Sequence, residues 1–178
     1  MLTQAGIEFE IVSPAVPERN DAGLTLSELT RWNAVRKGLA VMRAYPDKIV
    51  LAADTLVSLN GEVIGKPDDL ADAVRILRKL SGHAHQVSTS VFVGGLAHGR
   101  PIVFQEITNV RFRRLSRKAI DHYVARVNPL DKAGAYAAQG HGAEIIEEIQ
   151  GSYTNVVGLP MERTLPALAR FGIRPRLA

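Results

Sequence analysis

Polar and apolar residues change their period several times along this chain, and each change marks an element. Leu2 to Ala5 followed by Gly6 reads as a last helical turn with its C-terminal glycine, so the chain opens inside an element. Ile7-Glu8-Phe9-Glu10-Ile11 alternates as a half-buried strand does, and Pro14 to Leu24 is a polar loop carrying Glu18, Arg19 and Asp21. Thr25-Leu26-Ser27-Glu28 has capping-box spacing. The apolar positions that follow predict a helix from Leu26 to about Arg43 that buries Leu26, Leu29, Leu39 and Met42. Lys37 falls on a different face of that helix, one turn from Asn33.

Ile49 to Ala53 shows no alternation, which suits a strand covered on both faces, with Asp54 at its end. Open α/β sheets place ligands just beyond such ends. Thr55 to Leu59 then reads as extended chain, Asn60-Gly61 as a tight turn, and Glu62 to Ile64 as a return strand that delivers Lys66 near Asp54. Asp68 or Asp69 caps a helix with Leu70, Ala73, Val74, Leu77 and Leu80 at helical spacing, closed by Gly82. Ala84 to Gly94 and Ile102 to Phe112 form a long hairpin, with His83 and His85 read as solvated at its start. Ser116 caps a helix to about Val127, Ala143 to Ile149 is a strand, and Gly151 to Asn155 a loop. Pro160 opens a final helix that Pro166 is expected to interrupt and kink.

Composition narrows the class. The chain has 178 residues, 46% of them hydrophobic, enough for one sizeable core and short for two, so a single domain over 1–178 is expected. Cys is 0, which rules out disulfides and thiolate metal sites and favours the cytoplasm. No apolar run is long enough to span a bilayer, so no membrane partner is expected. The net charge of +4 suits polyanionic ligands. The densest basic cluster, Arg111, Arg113, Arg114, Arg117 and Lys118, has no aromatic residues interleaved for base stacking, so nucleic acid is not expected as a partner.

Asp54 and Lys66 facing one pocket suit phosphate chemistry. The carboxylate can hold a divalent metal or activate water, and the ammonium can neutralise phosphate oxygens. An Asp-Thr after a strand also serves as a turn former, and a Lys before Pro as a solvated surface residue, and these residues alone leave both readings open. Gly61 to Pro67 is not a P-loop, because its spacing is one residue short and Pro67 stands where Ser or Thr should hold magnesium. Asp131 to Gly142, DKAGAYAAQGHG, surrounds one amide, Gln139, with small residues that let main chain approach a ligand.

Together these stretches resemble the Maf proteins, nucleoside triphosphate pyrophosphatases historically called septum formation inhibitors. The resemblance rests on ADT at Ala53–Thr55, GKP at Gly65–Pro67, LSG at Leu80–Gly82, DKAGAY at Asp131–Tyr136, QG at Gln139–Gly140 and GSYTNVVGLP at Gly151–Pro160. It implies an α/β fold with an elongated, twisted mixed sheet flanked by helices, like that of inosine triphosphatases, around a nucleotide cleft. It further implies a homodimer that cleaves a nucleoside triphosphate between its α and β phosphates with magnesium or manganese. On the family pattern Asp54 is the base that activates water and a metal ligand, Glu18 helps hold the metal, and Lys37 and Lys66 contact the triphosphate. Thr55 and Gln139 match the positions that mark the branch acting on dTTP and UTP. The family's first strand and its loop with a serine and paired arginines have no counterpart before Leu2, so the chain reads as N-terminally truncated relative to the pattern. The alternative activity is a catalytically weak nucleotide-binding protein that regulates septum formation.

Overall fold

The computed structural model describes residues 1–19 and 23–175; Asp21 lies outside the described residues. A 3-10 turn at Thr3–Ala5 ends at Gly6, as the opening pattern predicts. Residues 7–19 then run without helix or strand, which overturns the expected strand at Ile7–Ile11. Only Ile7 of its apolar residues is buried, whereas Phe9 is 50% and Ile11 85% exposed. Alternation makes a strand only where a second strand accepts its hydrogen bonds, and none of the described strands does so here.

Helix α1 spans Leu26–Ala44 and starts with the predicted capping box, Thr25 and Glu28 each satisfying the other's backbone N–H. Strands β1 (Val50–Leu59) and β2 (Glu62–Ile64) form a hairpin whose turn residues Asn60 and Gly61 both have positive φ, 52° and 84°, the geometry that favours Asn-Gly. Helix α2 (Leu70–Leu80), capped by Asp69, leads to β3 (Ala84–Gly94) and β4 (Ile102–Phe112), the long hairpin expected. Helix α3 (Arg117–Arg126), capped by Ser116, is followed by a 3-10 turn at Ala133–Ala135 and by α4 (Gly142–Ile145), β5 (Ile146–Gln150), α5 (Tyr153–Val157) and α6 (Met161–Ala169). Three local readings change. The stretch from Ala143 begins as a helical turn, the loop at Gly151–Asn155 contains a Ser152-capped helix, and α6 continues across Pro166.

The α/β class holds. The sheet order is β2-β1-β3-β4-β5 and every pairing is antiparallel, so the sheet is not the mixed one expected. This corrects the sequence reading of Asp54. β1 runs straight through it, pairing Asp54 with Ser90 and Thr55 with Thr89, so Asp54 sits mid-strand and the rule for open parallel sheets does not locate the ligand. What opens the site is the short neighbour: β2 pairs with β1 only from Val57 to Leu59, and residues 50–56 have no strand beside their other edge among the described residues.

Both faces of the sheet are covered. Met42 of α1 packs with Val50 and Phe92 on one face. On the other, Ala167 and Leu168 of α6 pack with Val91 and Val93. The largest cluster joins Ile76, Leu77 and Leu80 of α2, Ile120 and Tyr123 of α3, and Val57, Val87, Val110 and Phe112 of the sheet. Leu70, expected in the core, is 54% exposed in the first turn of α2, and Ile76 takes up a buried position instead.

Candidate active site

Side chains alternate across a strand, so Asp54 and Thr55 leave β1 on opposite faces. Asp54 faces α1. Its Oδ1 accepts from Lys37 Nζ at 2.7 Å and its Oδ2 from Asn33 Nδ2 at 3.3 Å, so one helix satisfies both oxygens. Asn33 and Lys37 are four residues apart, which puts them on the same side of α1, one turn above the other. Lys37 Nζ also donates to Glu18 Oε1 at 2.5 Å, so one ammonium bridges two carboxylates.

Gly38 sets the distance between α1 and the sheet. A Cβ there would lie 2.2 to 2.8 Å from ring atoms of Phe92, so only glycine lets the helix settle this close and bring Asn33 and Lys37 onto Asp54.

The electrostatics follow from burial and pairing. Asp54 is only 6% exposed, and desolvation pushes its carboxyl above the usual aspartate range. The hydrogen bond and charge of Lys37 oppose that push, Glu18 reinforces it, and Asn33 opposes it. Burial alone would lower the Lys37 ammonium, but the two carboxylates outweigh it and hold it above the ordinary lysine value. Glu18 is held below the ordinary glutamate value, chiefly by its hydrogen bond to Lys37. The triad is therefore a buried, unusually basic aspartate beside a firmly charged lysine.

These groups line a cleft of about 530 Å³. Glu18, Lys37, Asp54, Thr55, Lys66 and Gln139 all contribute to its wall, so every site residue picked out in the sequence converges on one cavity. On the Thr55 side, Thr55 Oγ1 meets Thr89 Oγ1 at 2.9 Å and lies 3.4 Å from the Gly158 carbonyl, between α5 and α6. The small-residue stretch behaves as its composition suggested. Residues 131–133 and 136–139 form one rim, tied to the hairpin by Gly134 N–H donating to the Gly65 carbonyl at 2.9 Å, next to Lys66. A larger groove of about 800 Å³ runs along the unpaired edge of β1, but its walls are mostly aliphatic side chains and main chain.

Sequence reasoning missed Asn33 as a site residue, while Arg19, Asp131 and Lys132, which also line the cleft, fall in stretches it singled out without naming them as site residues. The available signal for Asn33 was a polar residue one turn from Lys37, and the structure leaves it only 2% exposed. His85 is the clear misreading. It is buried, its Nε2 lies 2.8 Å from Tyr136 Oη, and its ring meets those of Phe112 and Tyr136 edge-on at 4.8 and 5.4 Å. Its position on β3 turns it inward against Phe112 and Tyr136, while His83 stays exposed as expected.

Comparison with known proteins places this geometry in a lineage. The model of the Maf-like proteins matches residues 1–171. The chain belongs to the Maf family. A dTTP/UTP pyrophosphatase of Symbiobacterium thermophilum is 47% identical over 173 residues, which is 97% of this chain and 88% of the relative. Proteins named dTTP/UTP pyrophosphatase from Pelotomaculum thermopropionicum and Dictyoglomus turgidum are 44% and 41% identical, each covering 97% of this chain and 90% of the relative. The family match spans the residues that line the cleft. Among the described residues, no helix is long and apolar enough to cross a membrane.

Could these residues hold a metal? Among the described residues no group of three or more His, Asp or Glu side chains gathers at one point. A small hard cation that is bound with its substrate needs fewer, since one or two carboxylates and the phosphate oxygens suffice. Glu18 and Asp54, already drawn to within hydrogen-bonding distance of a single cation, fit that requirement.

Proposed function

We propose that this chain is a nucleoside triphosphate pyrophosphatase that hydrolyses dTTP- and UTP-type nucleotides to monophosphate and pyrophosphate. The observation that carries the reading is Lys37 bridging Glu18 and buried Asp54 at the wall of a cleft that also holds Lys66, Thr55 and Gln139. The relatives' shared name supports the same substrate class.

In this reading Asp54 is the general base. Its raised pKa makes it a better proton acceptor than a solvated aspartate. Water attacks the α phosphorus as its proton passes to Asp54. A P–O bond forms to the water oxygen, and the bond from the α phosphorus to the bridging oxygen breaks, with the electron pair leaving on pyrophosphate. Lys37 and Lys66 take up charge on the phosphate oxygens, as fixed cations do in phosphoryl-transfer sites. A divalent cation such as magnesium or manganese, held by Glu18 and Asp54, would add Lewis-acid stabilisation of the same charge. Thr55 and Gln139 are the base-recognising pair. An amide donates and accepts at once, which suits the adjacent carbonyl and N–H of a uracil or thymine ring.

The cytoplasm, where such nucleotides circulate, is the proposed location, in keeping with a chain that has no cysteine. A homodimer is proposed as well. The unpaired edge of β1 and the exposed Phe9 beside it are surfaces that a second copy would cover, and light scattering on the purified chain decides the point.

The test is a nucleotide panel with magnesium or manganese, read as monophosphate and pyrophosphate, on the wild type and Asp54→Asn. Release of pyrophosphate from dTTP or UTP, lost in Asp54→Asn with an unchanged melting curve, supports the reading. Release of orthophosphate, or full turnover by Asp54→Asn, sinks it. Tight nucleotide binding with no turnover by the wild type supports the regulatory alternative.

A further inference from the structure

Asn33 does more than fill a buried position on α1. Its Oδ1 accepts from Arg19 N–H at 2.9 Å, and its Nδ2 donates both to the Arg19 carbonyl at 3.2 Å and to Asp54 Oδ2 at 3.3 Å. The orientation of the amide is fixed by these partners. Reversing it would set its oxygen against a carboxylate oxygen and its NH₂ against a backbone N–H. Side-chain amides that pair with both the N–H and the C=O of one residue replace a strand partner for it, which gives otherwise irregular chain a defined position. Residues 17–19 have no regular structure, and α1 holds them at further points: Arg36 donates to the Pro17 carbonyl at 3.3 Å, and the Arg19 guanidinium stacks 5.3 Å from the Trp32 ring.

We propose that Asn33 is a positioning residue for the hydrolytic reaction, locking the segment that carries Glu18 to the carboxylate of Asp54 so that both are presented in one fixed geometry. The proposal rests on the reading of Asp54 as the base. Lys37 supplies charge to the pair, and Asn33 supplies direction. With Asn33 in place, both Asp54 oxygens have a donor on α1, and the carboxylate plane cannot turn without breaking one of them. Outer-layer partners of metal-site ligands typically cost about 10- to 100-fold in metal affinity or activity when removed.

Two substitutions separate the halves of the role. Asn33→Leu removes both. Asn33→Asp keeps an oxygen that accepts from Arg19 N–H but removes the donor to the Arg19 carbonyl and the donor to Asp54, and sets a second carboxylate against Asp54. The measurements are kcat and KM for dTTP with magnesium, the melting temperature, and hydrogen exchange at the Arg19 amide. Asn33→Leu is expected to lose 10- to 100-fold in kcat with KM within about threefold of wild type, and to speed exchange at Arg19. Asn33→Asp is expected to keep Arg19 protected and still lose at least about tenfold in kcat. If Asn33→Leu fails to fold, Asn33→Asp alone carries the test. Asn33→Asp with wild-type kcat, or Asn33→Leu with wild-type kcat beside an inactive Asp54→Asn, overturns the proposal while leaving the base assignment intact. An active Asp54→Asn brings down the base assignment and, with it, the role of Asn33.

Discussion

Asp54 and Thr55 are consecutive residues of β1 that serve opposite faces of the sheet, Asp54 bonded to α1 and Thr55 to Thr89 beside the turn after α5, yet both line the same cleft. The cleft wraps around a strand edge that β2 leaves bare up to Leu56. Chemistry and base choice should therefore be separable by adjacent mutations. Thr55→Val keeps the shape and removes the hydroxyl, so kcat on the preferred nucleotide should stay within a few-fold while the ratio of kcat/KM between UTP and a guanosine triphosphate falls by about tenfold, the loss of one or two hydrogen bonds. Asp54→Asn should abolish turnover on every nucleotide. A uniform loss across nucleotides in Thr55→Val would show that Thr55 serves structure alone.

Lys37 bridges two carboxylates that would otherwise repel. In Lys37→Met, Glu18 and Asp54 lose their shared cation, and Asp54, already desolvated, is pushed further toward the neutral acid. Turnover should fall by about 10²-fold or more. The variant's melting temperature should also rise more on adding magnesium than the wild type's, because an added cation then fills a like-charge pocket. Equal magnesium-induced shifts in the two proteins would separate the carboxylates from the metal site.

Gly38→Ala is the test of the α1 contact. Alanine favours a helix over glycine by about 1 kcal/mol, so an exposed site would gain stability. Here the new methyl meets the Phe92 ring at 2.2 Å, and overpacking of a core costs about 1–3 kcal/mol. The clash should win, giving a lower urea midpoint, and activity should drop as well because α1 carries Asn33 and Lys37 away from Asp54. A more stable Gly38→Ala protein would mean that α1 sits farther from β3 than 2.2 Å implies.

The parts of this molecule legible in its sequence are those whose cause is local. The Thr25/Glu28 box, the Asn60-Gly61 turn and the Asp69 and Ser116 caps each involve residues within a few positions, and each forms. Strand partnership is not local. Nothing in Ile7–Ile11 says that no strand will lie beside it, nor in Val50–Leu59 that β3 will run antiparallel along its other edge. The site divides the same way. Asp54, Lys66 and the Asp131–Gly142 rim carry recognisable composition, and family resemblance supplied Glu18, Lys37, Thr55 and Gln139. Asn33 could be placed one turn from Lys37 but not read as a site residue, because its partners, Arg19 and Asp54, come from a loop before it and a strand after it.

His85 gives a prediction in stability rather than rate. Burial among Phe112 and Tyr136 drives its pKa down to about 4, with a backbone contact at His83 working the other way. The folded protein therefore keeps the ring neutral at pH values where the unfolded chain, titrating near about 6.5, binds a proton. A depressed folded pKa gives its full benefit above the unfolded value, so stability from His85 is complete above about pH 6.5 and drains away as pH falls toward 4. The gap amounts to about 3 kcal/mol at its limit. His85→Gln can still bond Tyr136 Oη but has no proton to gain, so it should start less stable at neutral pH, having lost two edge-on ring contacts. Its urea midpoint should then change less between pH 6.5 and 4 than that of the wild type, and the two curves should converge on the acid side. Parallel curves across that range would mean that His85 takes up its proton without unfolding the protein, and that the ring is not sealed against Phe112 and Tyr136 as the structure has it.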